Sequence, residues 1–265
     1  MKKLLLLSAL LIFACSSDDS TSDDNSQPSK KIESVTSPPN DCNGCEGHNS
    51  YLSYTNDKLT FVESDYYLMG FSGDEYEMGN IDETYIIEHL DGLVRITSSN
   101  FESSYIEEIS VNLDGTIIGP EYNFENGYLI SMFGFSDGQG ERYYNWENGN
   151  LTSIQEINSN GTTDTFSSTF TDYNNLADIN FLLEFRHTDE FITSVLGFFG
   201  NPSAKLPLQE TYVTDNGGTY ETVINDYSYL FDDEGYPIKI IVNYESDWNG
   251  VTSSSSRTYN FTYTN

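Results

Sequence analysis

The sequence of 265 residues predicts an all-β protein, in which an antiparallel up-and-down meander forms a strongly curved, barrel-like sheet. One observation is a series of turn signals, roughly every 11 or 12 residues from 91 to 161, most of which are hairpin dipeptides that suit turns with positive φ. The dipeptides are Asp91-Gly92, Asp114-Gly115, Asn126-Gly127, Asn148-Gly149 and Asn160-Gly161, and Glu102-Ser103-Ser104 and Asp137-Gly138-Gln139-Gly140 fall in the gaps between them. The other is the alternation of apolar and polar residues between these turns, which predicts strands with one packed and one wet face.

The alternation is clearest near the end of the chain. Ile240 and Val242 fall on one face of a predicted strand, and Tyr259 and Phe261 fall on one face of the next. Glu107 is an exception, because it is an acid on the apolar face of its strand. Such an acid lies either at an exposed edge or in a functional site, and we favour the edge. Tyr (20) and Phe (16) supply much of the apolar area, as in half-exposed sheets.

One stretch departs from this rhythm. Residues 176–200 are rich in Leu and Phe and contain no hairpin dipeptide. Thr188-Asp189-Glu190 is a plausible helix start with acids in the first turn, and Gly200-Asn201-Pro202 would stop it. These signals predict one short helix near 189–199.

The N-terminus has the pattern of a secretory signal. Lys2 and Lys3 precede an apolar run over 4–13, which is too short for a membrane-spanning helix. The run ends in Ile12-Phe13-Ala14-Cys15, which resembles a bacterial lipobox. That resemblance implies cleavage before Cys15 and attachment of lipid, palmitate included, to Cys15.

Three regions are therefore predicted: a lipoprotein signal peptide (1–14), the lipidated cysteine with a disordered acidic tether (15–50), and a β-meander domain (51–265). The anchor implies an outer-membrane location, facing either the periplasm or the cell surface. The Ser-Ser-Asp-Asp after Cys15 resembles the acidic surface-export signal of Bacteroidota lipoproteins. A solvated acidic linker would have the same composition.

The charge of the chain excludes two classes of partner. It has 11 basic and 42 acidic residues and a net charge of −31. Such a surface repels phosphate backbones and anionic headgroups, so we expect no nucleic acid, and membrane contact only through the N-terminal lipid.

Cys42 and Cys45 leave two interpretations open. In an oxidising compartment they would form a disulfide loop. Alternatively, Cys42, Cys45 and His48 have the spacing of three metal ligands, although no second cluster completes a structural zinc site.

No catalytic signature stands out. The sequence contains no Gly-x-Ser-x-Gly elbow, dinucleotide fingerprint or EF-hand loop, and we expect no cofactor. Aromatic residues are the best functional signal, with Trp248, Trp146 and Tyr144 as candidate ligand-binding residues that would stack on sugar rings. The alternative is that aromatic residues simply fill a thin core. Trp248 stands out because it adjoins a predicted hairpin tip, Asn249-Gly250.

Two similar units add a resemblance. Residues 122–127 (Tyr-Asn-Phe-Glu-Asn-Gly) and 144–149 (Tyr-Asn-Trp-Glu-Asn-Gly) resemble the hairpins of YD-type repeats. Together with Gly-Asn-Pro-Ser-Ala-Lys-Leu-Pro at 200–207, they also resemble a Bacteroidota lipoprotein family of unknown function with a porin-like β fold (the DUF4595 type). The resemblance implies a fold and an anchor, and it transfers no catalytic residue.

These observations favour a non-catalytic binding or scaffold module of the cell envelope, with a glycan or an envelope protein as partner. The alternative is a hydrolase that acts on polysaccharide or lipid with carboxylates inside the curved sheet. Plain apolar packing inside the sheet would favour the module. Two or more buried acids that converge in an open cleft would favour the hydrolase.

Overall fold

The fold was obtained as a computed structural model, which describes residues 30–37, 46–72, 75–100, 103–134, 140–158, 161–179, 196–215 and 220–264. The signal peptide, Cys15, Cys42 and Cys45 lie outside these residues. So does most of the predicted helix, since only its last residues are described. There, Leu196 to Phe199 form a turn, in which the Gly200 N–H donates to the Gly197 carbonyl at 3.0 Å.

The described part of the chain forms fifteen strands. It contains no helix that is long and apolar enough to cross a membrane. The strands are β1 (Ile32–Ser37), β2 (Glu46–Thr55), β3 (Lys58–Ser72), β4 (Glu75–Leu90), β5 (Leu93–Ser99), β6 (Ser104–Ser110), β7 (Tyr122–Glu125), β8 (Tyr128–Gly134), β9 (Gly140–Glu147), β10 (Asn150–Ile157), β11 (Thr163–Asn174), β12 (Lys205–Asp215), β13 (Tyr220–Phe231), β14 (Pro237–Trp248) and β15 (Val251–Tyr263).

All fifteen strands belong to one antiparallel sheet, in the order β6-β5-β4-β3-β2-β1-β15-β14-β13-β12-β11-β10-β9-β8-β7. Apart from β1 and β15, neighbours in the sheet are neighbours in the sequence, which confirms the predicted up-and-down meander. The sheet is open, because β6 and β7 are its two edges and no ladder joins their described residues. Glu107 lies exposed on edge strand β6, as predicted.

Tight turns set the meander. Asn126 and Gly127 both have positive φ (53° and 81°), as do Asn148 and Gly149 (52° and 75°). Two consecutive positive φ values define the turn whose twist matches that of the strands it joins, and Asn-Gly is the dipeptide that adopts it most readily.

The sheet begins earlier than the sequence analysis predicts. β1 and the first half of β2 lie inside the stretch that was predicted to be tether. Val35 of β1 is fully buried and pairs with Ser50 of β2 and Phe261 of β15. A short strand is stable here because it fills the place between the first long hairpin and the last strand.

One face of the sheet carries the core, and we call it the core face. Its buried residues include Val62, Tyr85, Ile240, Val242, Tyr259 and Phe261. The burial of Ile240 and Val242 on β14 and of Tyr259 and Phe261 on β15 confirms the alternation predicted from the sequence. A smaller apolar cluster, formed around Leu129, Tyr144 and Leu151, covers β7 to β10.

The strands have two distinct ends. The packed end carries the turns at 91–92, 126–127, 148–149 and 232–235 and the connection between β11 and β12. The rim end carries the turns at 158–162 and 249–250.

The connection between β11 and β12 is attached to the packed end by hydrogen bonds. The Asn201 N–H donates to the Gly127 carbonyl at 2.8 Å, and the Ala204 N–H donates to the Gly149 carbonyl at 2.9 Å. The Leu151 N–H donates to Ser203 Oγ at 3.1 Å. Residues 200–207, which carried the family resemblance, therefore have a structural role.

Candidate functional site

A row of polar side chains crosses the core face at the rim end. Antiparallel registers place one residue of each strand from β9 to β14 opposite the next. In order these residues are Arg142, Glu156, Asp164, Thr214, Glu221 and Trp248, which we call the rim row. Five strand spacings make the row about 24 Å long.

The rim row is unusual because it occupies the face that elsewhere holds the core. Asp164 is 6% exposed and Thr214 is also buried, whereas Trp248 is 60% exposed. The row therefore runs from a polar interior on β11 to a solvent-exposed indole on β14. Long alternating strands allow this, because their core-facing positions continue past the point where apolar packing ends.

Arg142 and Glu156 form an ion pair within the row. Arg142 donates to Glu156 Oε2 from Nε at 3.0 Å and from Nη2 at 2.6 Å. Burial lowers the pKa of Arg142, but contacts with Tyr144 and Glu156 outweigh burial and hold that pKa above its ordinary value. The charge of Glu156 is thus compensated inside the protein.

Among the described residues, no cation forms an ion pair with Asp164. Its Oδ2 accepts a hydrogen bond from Asn158 Nδ2 at 3.0 Å, and its Oδ1 is buried with no hydrogen-bond partner. Tyr212 lies one position further from the rim on β12. Burial is the largest influence on Tyr212 and raises its pKa. A hydrogen bond with Thr214 opposes the rise, while the charges of Asp164 and Glu156 and a hydrogen bond with Asp164 add to it.

More polar groups lie deeper on the same face. The Tyr227 hydroxyl donates to Glu210 Oε2 at 2.5 Å, and Glu210 is only 4% exposed. Burial raises the pKa of Tyr227 well above its ordinary value, and the charge of Glu210 adds to the effect. Asn225 pairs with Glu210 across the β12–β13 ladder, and its Oδ1 is buried without a partner.

The structure separates the three predicted aromatic residues. Tyr144 is 7% exposed and belongs to the smaller apolar cluster, against which Trp146 packs. Trp146 donates from Nε1 to the Leu129 carbonyl at 2.8 Å, and its ring lies 4.6 Å from the ring of Tyr128. Trp248 lies apart from this pair, five strands away and at the rim end.

Tyr227, Tyr229 and Phe231 form a ladder of rings on the core face. The ring centroids are 6.5 Å apart in the first pair and 5.9 Å apart in the second. The Tyr229 hydroxyl donates to the Pro207 carbonyl at 2.6 Å. These contacts show a structural ladder that fixes β13 against β12.

The sequence pattern does not single out five residues of the rim row: Arg142, Glu156, Asp164, Thr214 and Glu221. The available signal was parity: Arg142 is two residues from Tyr144, so both side chains had to share one face of β9. Parity assigns a residue to a face within one strand, but it does not give the register between strands that assembles the row.

Glu156 and Asp164 face each other across one ladder, and Glu156 is already held by Arg142 at 2.6 Å. Within the described residues, no group of three or more His, Cys, Asp or Glu side chains is arranged to hold a metal ion.

A cavity of about 710 Å³ lies at the packed end. Leu59, Val94 and Phe198 supply apolar parts of its wall, and Lys31 and Asp178 supply charged parts. Burial raises the pKa of Asp178, and Lys31 partly offsets the rise. The wall also includes Ile179 and Leu196.

The fold defines a class of protein: a single open, up-and-down antiparallel sheet with polar groups on its core face. A porin-like protein from Bacteroides uniformis ATCC 8492 is similar, with a TM-score of 0.62 and 17% identity over 88% of this chain and 96% of that one. A second porin-like protein, from Bacteroides vulgatus ATCC 8482, has 14% identity and a TM-score of 0.36 over 89% and 99% of the two chains. No protein-family model and no curated protein matches the chain. The likeness to the first structure shows a shared porin-like fold.

Proposed function

We propose that this protein is a non-catalytic, lipid-anchored binding module of the cell envelope that holds a glycan along its rim row. The observation that carries the proposal is the row itself, in which a line of polar groups on the core face ends at the exposed indole of Trp248. Sugars offer both chemistries that this line matches, since hydroxyls pair with carboxylates and amides, and apolar ring faces stack on aromatic rings.

The anchor belongs to the same proposal. The lipobox-like sequence at Cys15 and the porin-like fold fit the outer-membrane lipoproteins of Bacteroidota, including the DUF4595 type with its YD-like hairpins. Mass spectrometry of membrane-extracted protein would detect a lipid on Cys15. An unmodified Cys15 in that material would contradict the anchor.

The described start of the chain supports an orientation for this module. Lys30 binds the β13–β14 turn through Asp232 at 3.1 Å and Glu234 at 2.7 Å, so a tether that precedes it leaves from the packed end. Strands of 12 residues place the rim row about 40 Å away. The row then faces away from the anchored membrane.

The experiment is a glycan-array screen followed by calorimetry, with the full lipoprotein in detergent. Trp248→Ala should weaken binding of the captured glycan about tenfold or more, because it removes a stacking surface. Tyr220→Ala is the matched control, since Tyr220 is 58% exposed at the same end of the sheet but lies on the opposite face. An equal loss in both variants, or no glycan bound by the wild type, would contradict the proposal.

An envelope protein is the second candidate partner. Edge strand β6 exposes Tyr105 (62%) and Ile106 (61%), and an unpaired edge can accept an extended segment of another chain. If the array yields no ligand, a cross-linking experiment through position 106 is the direct way to detect such a protein.

A further inference from the structure

We propose that edge strand β6 accepts an extended, basic segment of an envelope protein as an additional antiparallel strand. Read from its N-terminus, the segment carries two adjacent basic residues followed by an apolar one. Since it names the chemistry of the protein partner, this inference rests on the second candidate of the proposed function. The rim row lies on β9 to β14, so glycan binding and partner binding can fail separately.

The backbone of β6 has hydrogen-bonding groups that the described sheet does not use. In an antiparallel strand, alternate residues direct both backbone groups to the same side. The Ser110 carbonyl accepts from the Ile118 N–H at 2.8 Å, in the connection that follows β6, and thus points away from β5. Ile106 and Glu108 point the same way by this alternation, and no backbone hydrogen bond joins their outward groups to another described residue. An added strand would find a donor and an acceptor at each of them.

Apolar side chains reach this edge on the face opposite the core face, which we call the outer face. The registers place Phe61, Ile86, Thr97 and Ile106 opposite one another on β3 to β6. Ile86 is 52% exposed and Ile106 is 61% exposed, so this row ends at an exposed apolar side chain. Pairs of β-branched or aromatic residues across neighbouring strands stabilise a sheet. An added strand should therefore place an apolar residue opposite Ile106.

The next row on the outer face consists of charged residues. Arg95 donates to Glu108 Oε1 from Nη2 at 2.8 Å and to Glu88 Oε2 from Nη1 at 3.3 Å. Acid, base and acid thus alternate across β4, β5 and β6, and a basic residue opposite Glu108 would continue the alternation. Glu107, the neighbour of Glu108 on the core face, is also exposed. A second basic residue opposite Glu107 would meet its carboxylate.

Charge also distinguishes this partner from two other occupants of the edge. The predicted tether carries four Asp residues over 15–29 and neither Lys nor Arg. A second copy of this chain, with a net charge of −31, would be repelled. A basic segment from another protein is the better complement to β6.

The test measures the binding of three Thr-rich synthetic peptides to the full lipoprotein in detergent. Their centres are Arg-Arg-Val, Arg-Val-Arg and Glu-Glu-Val. The Arg-Arg-Val peptide should bind about tenfold or more tightly than the Glu-Glu-Val peptide, and about threefold or more tightly than the Arg-Val-Arg peptide, which has the same charge. Equal affinity for the two basic peptides would show attraction to an acidic chain without recognition of β6, and it would overturn the inference. Absence of binding by the Arg-Arg-Val peptide would also overturn it.

Variants of the edge test the docking mode. Ile106→Pro removes an outward N–H and leaves the ladder to β5 intact, so affinity for the Arg-Arg-Val peptide should fall about tenfold or more. Ile106→Thr keeps the backbone and should weaken binding about threefold through the lost apolar contact, which preserves the test if the proline variant does not fold. Ile86→Thr is the matched control, because Ile86 is exposed in the same row but lies two strands from the edge. Equal losses for Ile86→Thr and Ile106→Thr would place the peptide flat on the outer face and overturn the inference.

Hydrogen exchange gives a readout that does not depend on variants. The N–H groups of Ile106 and Glu108 should exchange about tenfold or more slowly in the presence of the Arg-Arg-Val peptide, because an added strand accepts from them. Unchanged exchange at both positions would overturn edge addition. A dimer of the lipoprotein that Ile106→Pro abolishes would make β6 an interface between copies, which would also overturn it.

The outcomes separate this inference from the glycan site. If the protein binds the Arg-Arg-Val peptide at β6 and no glycan, the partner site stands and the proposed glycan function fails. If Trp248→Ala loses glycan binding and the three peptides bind equally, the glycan site stands and this inference fails.

Discussion

The packed end and the rim end of the core face use the same strands for different purposes. At the packed end, β12 and β14 bury Leu206 and Ile240 completely, and the connection between β11 and β12 is hydrogen-bonded to the turns. At the rim end, the same two strands carry Thr214 and Trp248. The comparison teaches that the same strands can bury apolar side chains at one end of a sheet and carry polar and exposed aromatic side chains at the other.

Unsatisfied polar atoms follow the same division. Among the described residues, the buried side-chain atoms without a hydrogen-bond partner are Ser37 Oγ, Asp164 Oδ1 and Asn225 Oδ1. Ser37 is the last residue of β1 and Asp164 the second of β11, so both lie near the rim end, while Asn225 lies near the middle of β13. Polar groups at the packed end are better satisfied: Asn175, for example, exchanges hydrogen bonds with Ile179 and also donates to the Ser203 carbonyl.

The largest expected effect tests the packed end. Leu206 is fully buried, so Leu206→Ala should lower the free energy of unfolding by about 2–5 kcal/mol through lost burial and a cavity. Leu208 lies on the same strand and is 50% exposed, so Leu208→Ala should change the free energy of unfolding by no more than about 0.5 kcal/mol. Urea unfolding followed by fluorescence measures both. Similar effects for the two variants would show that stability does not reside in this packing.

An intermediate effect tests the buried polar groups between the two ends. Tyr227→Phe removes the donor to Glu210 and should cost about 1–3 kcal/mol at neutral pH. Folded Tyr227 keeps its proton above its ordinary pKa, so its contribution is fully present below about pH 10 and is lost as pH rises further. Unfolding free energy measured from pH 7 to 11 should therefore fall less steeply in the variant.

Tyr220→Phe is the control for that pH series, because Tyr220 is exposed at the start of the same strand. Tyr220→Phe should have the wild-type free energy of unfolding at pH 7, and that free energy should change with pH up to 11 as it does in the wild type. If Tyr227→Phe does the same, the hydrogen bond to Glu210 contributes nothing measurable.

The features of this structure that can be predicted from the sequence depend on residues that are close together in the chain. Alternation at Ile240, Val242, Tyr259 and Phe261 and the Asn-Gly turns depend on a few neighbouring residues, and they were confirmed. β1 was missed because its six residues alternate poorly, and its burial comes from pairing with a strand at the far end of the sequence. The rim row was missed for a related reason: it depends on five consecutive registers, which bulges and turn lengths set together.

The smallest expected effect concerns the attachment of Lys30 to the packed end. Burial raises the pKa of Asp232, but the N–H groups of Tyr236 and Glu234 and the Lys30 ammonium outweigh burial and hold that pKa below its ordinary value. Asp232→Asn keeps an acceptor for the turn and removes the charge. It should lower the free energy of unfolding at pH 7 by less than about 1 kcal/mol, because the ion pair is partly exposed.

The pH dependence of this variant gives the decisive measurement. A lowered pKa in the folded state stabilises the protein above about pH 3.9, and the stabilisation disappears as pH falls through the folded value. The difference between wild type and Asp232→Asn should therefore vanish on acidification, and it should shrink in high salt. Asp233→Asn, an exposed neighbour in the same turn, should show neither trend. A difference that persists after Asp232 has become protonated in the folded state would mean that its carboxyl acts through the hydrogen bonds from Glu234 and Tyr236 rather than through its charge.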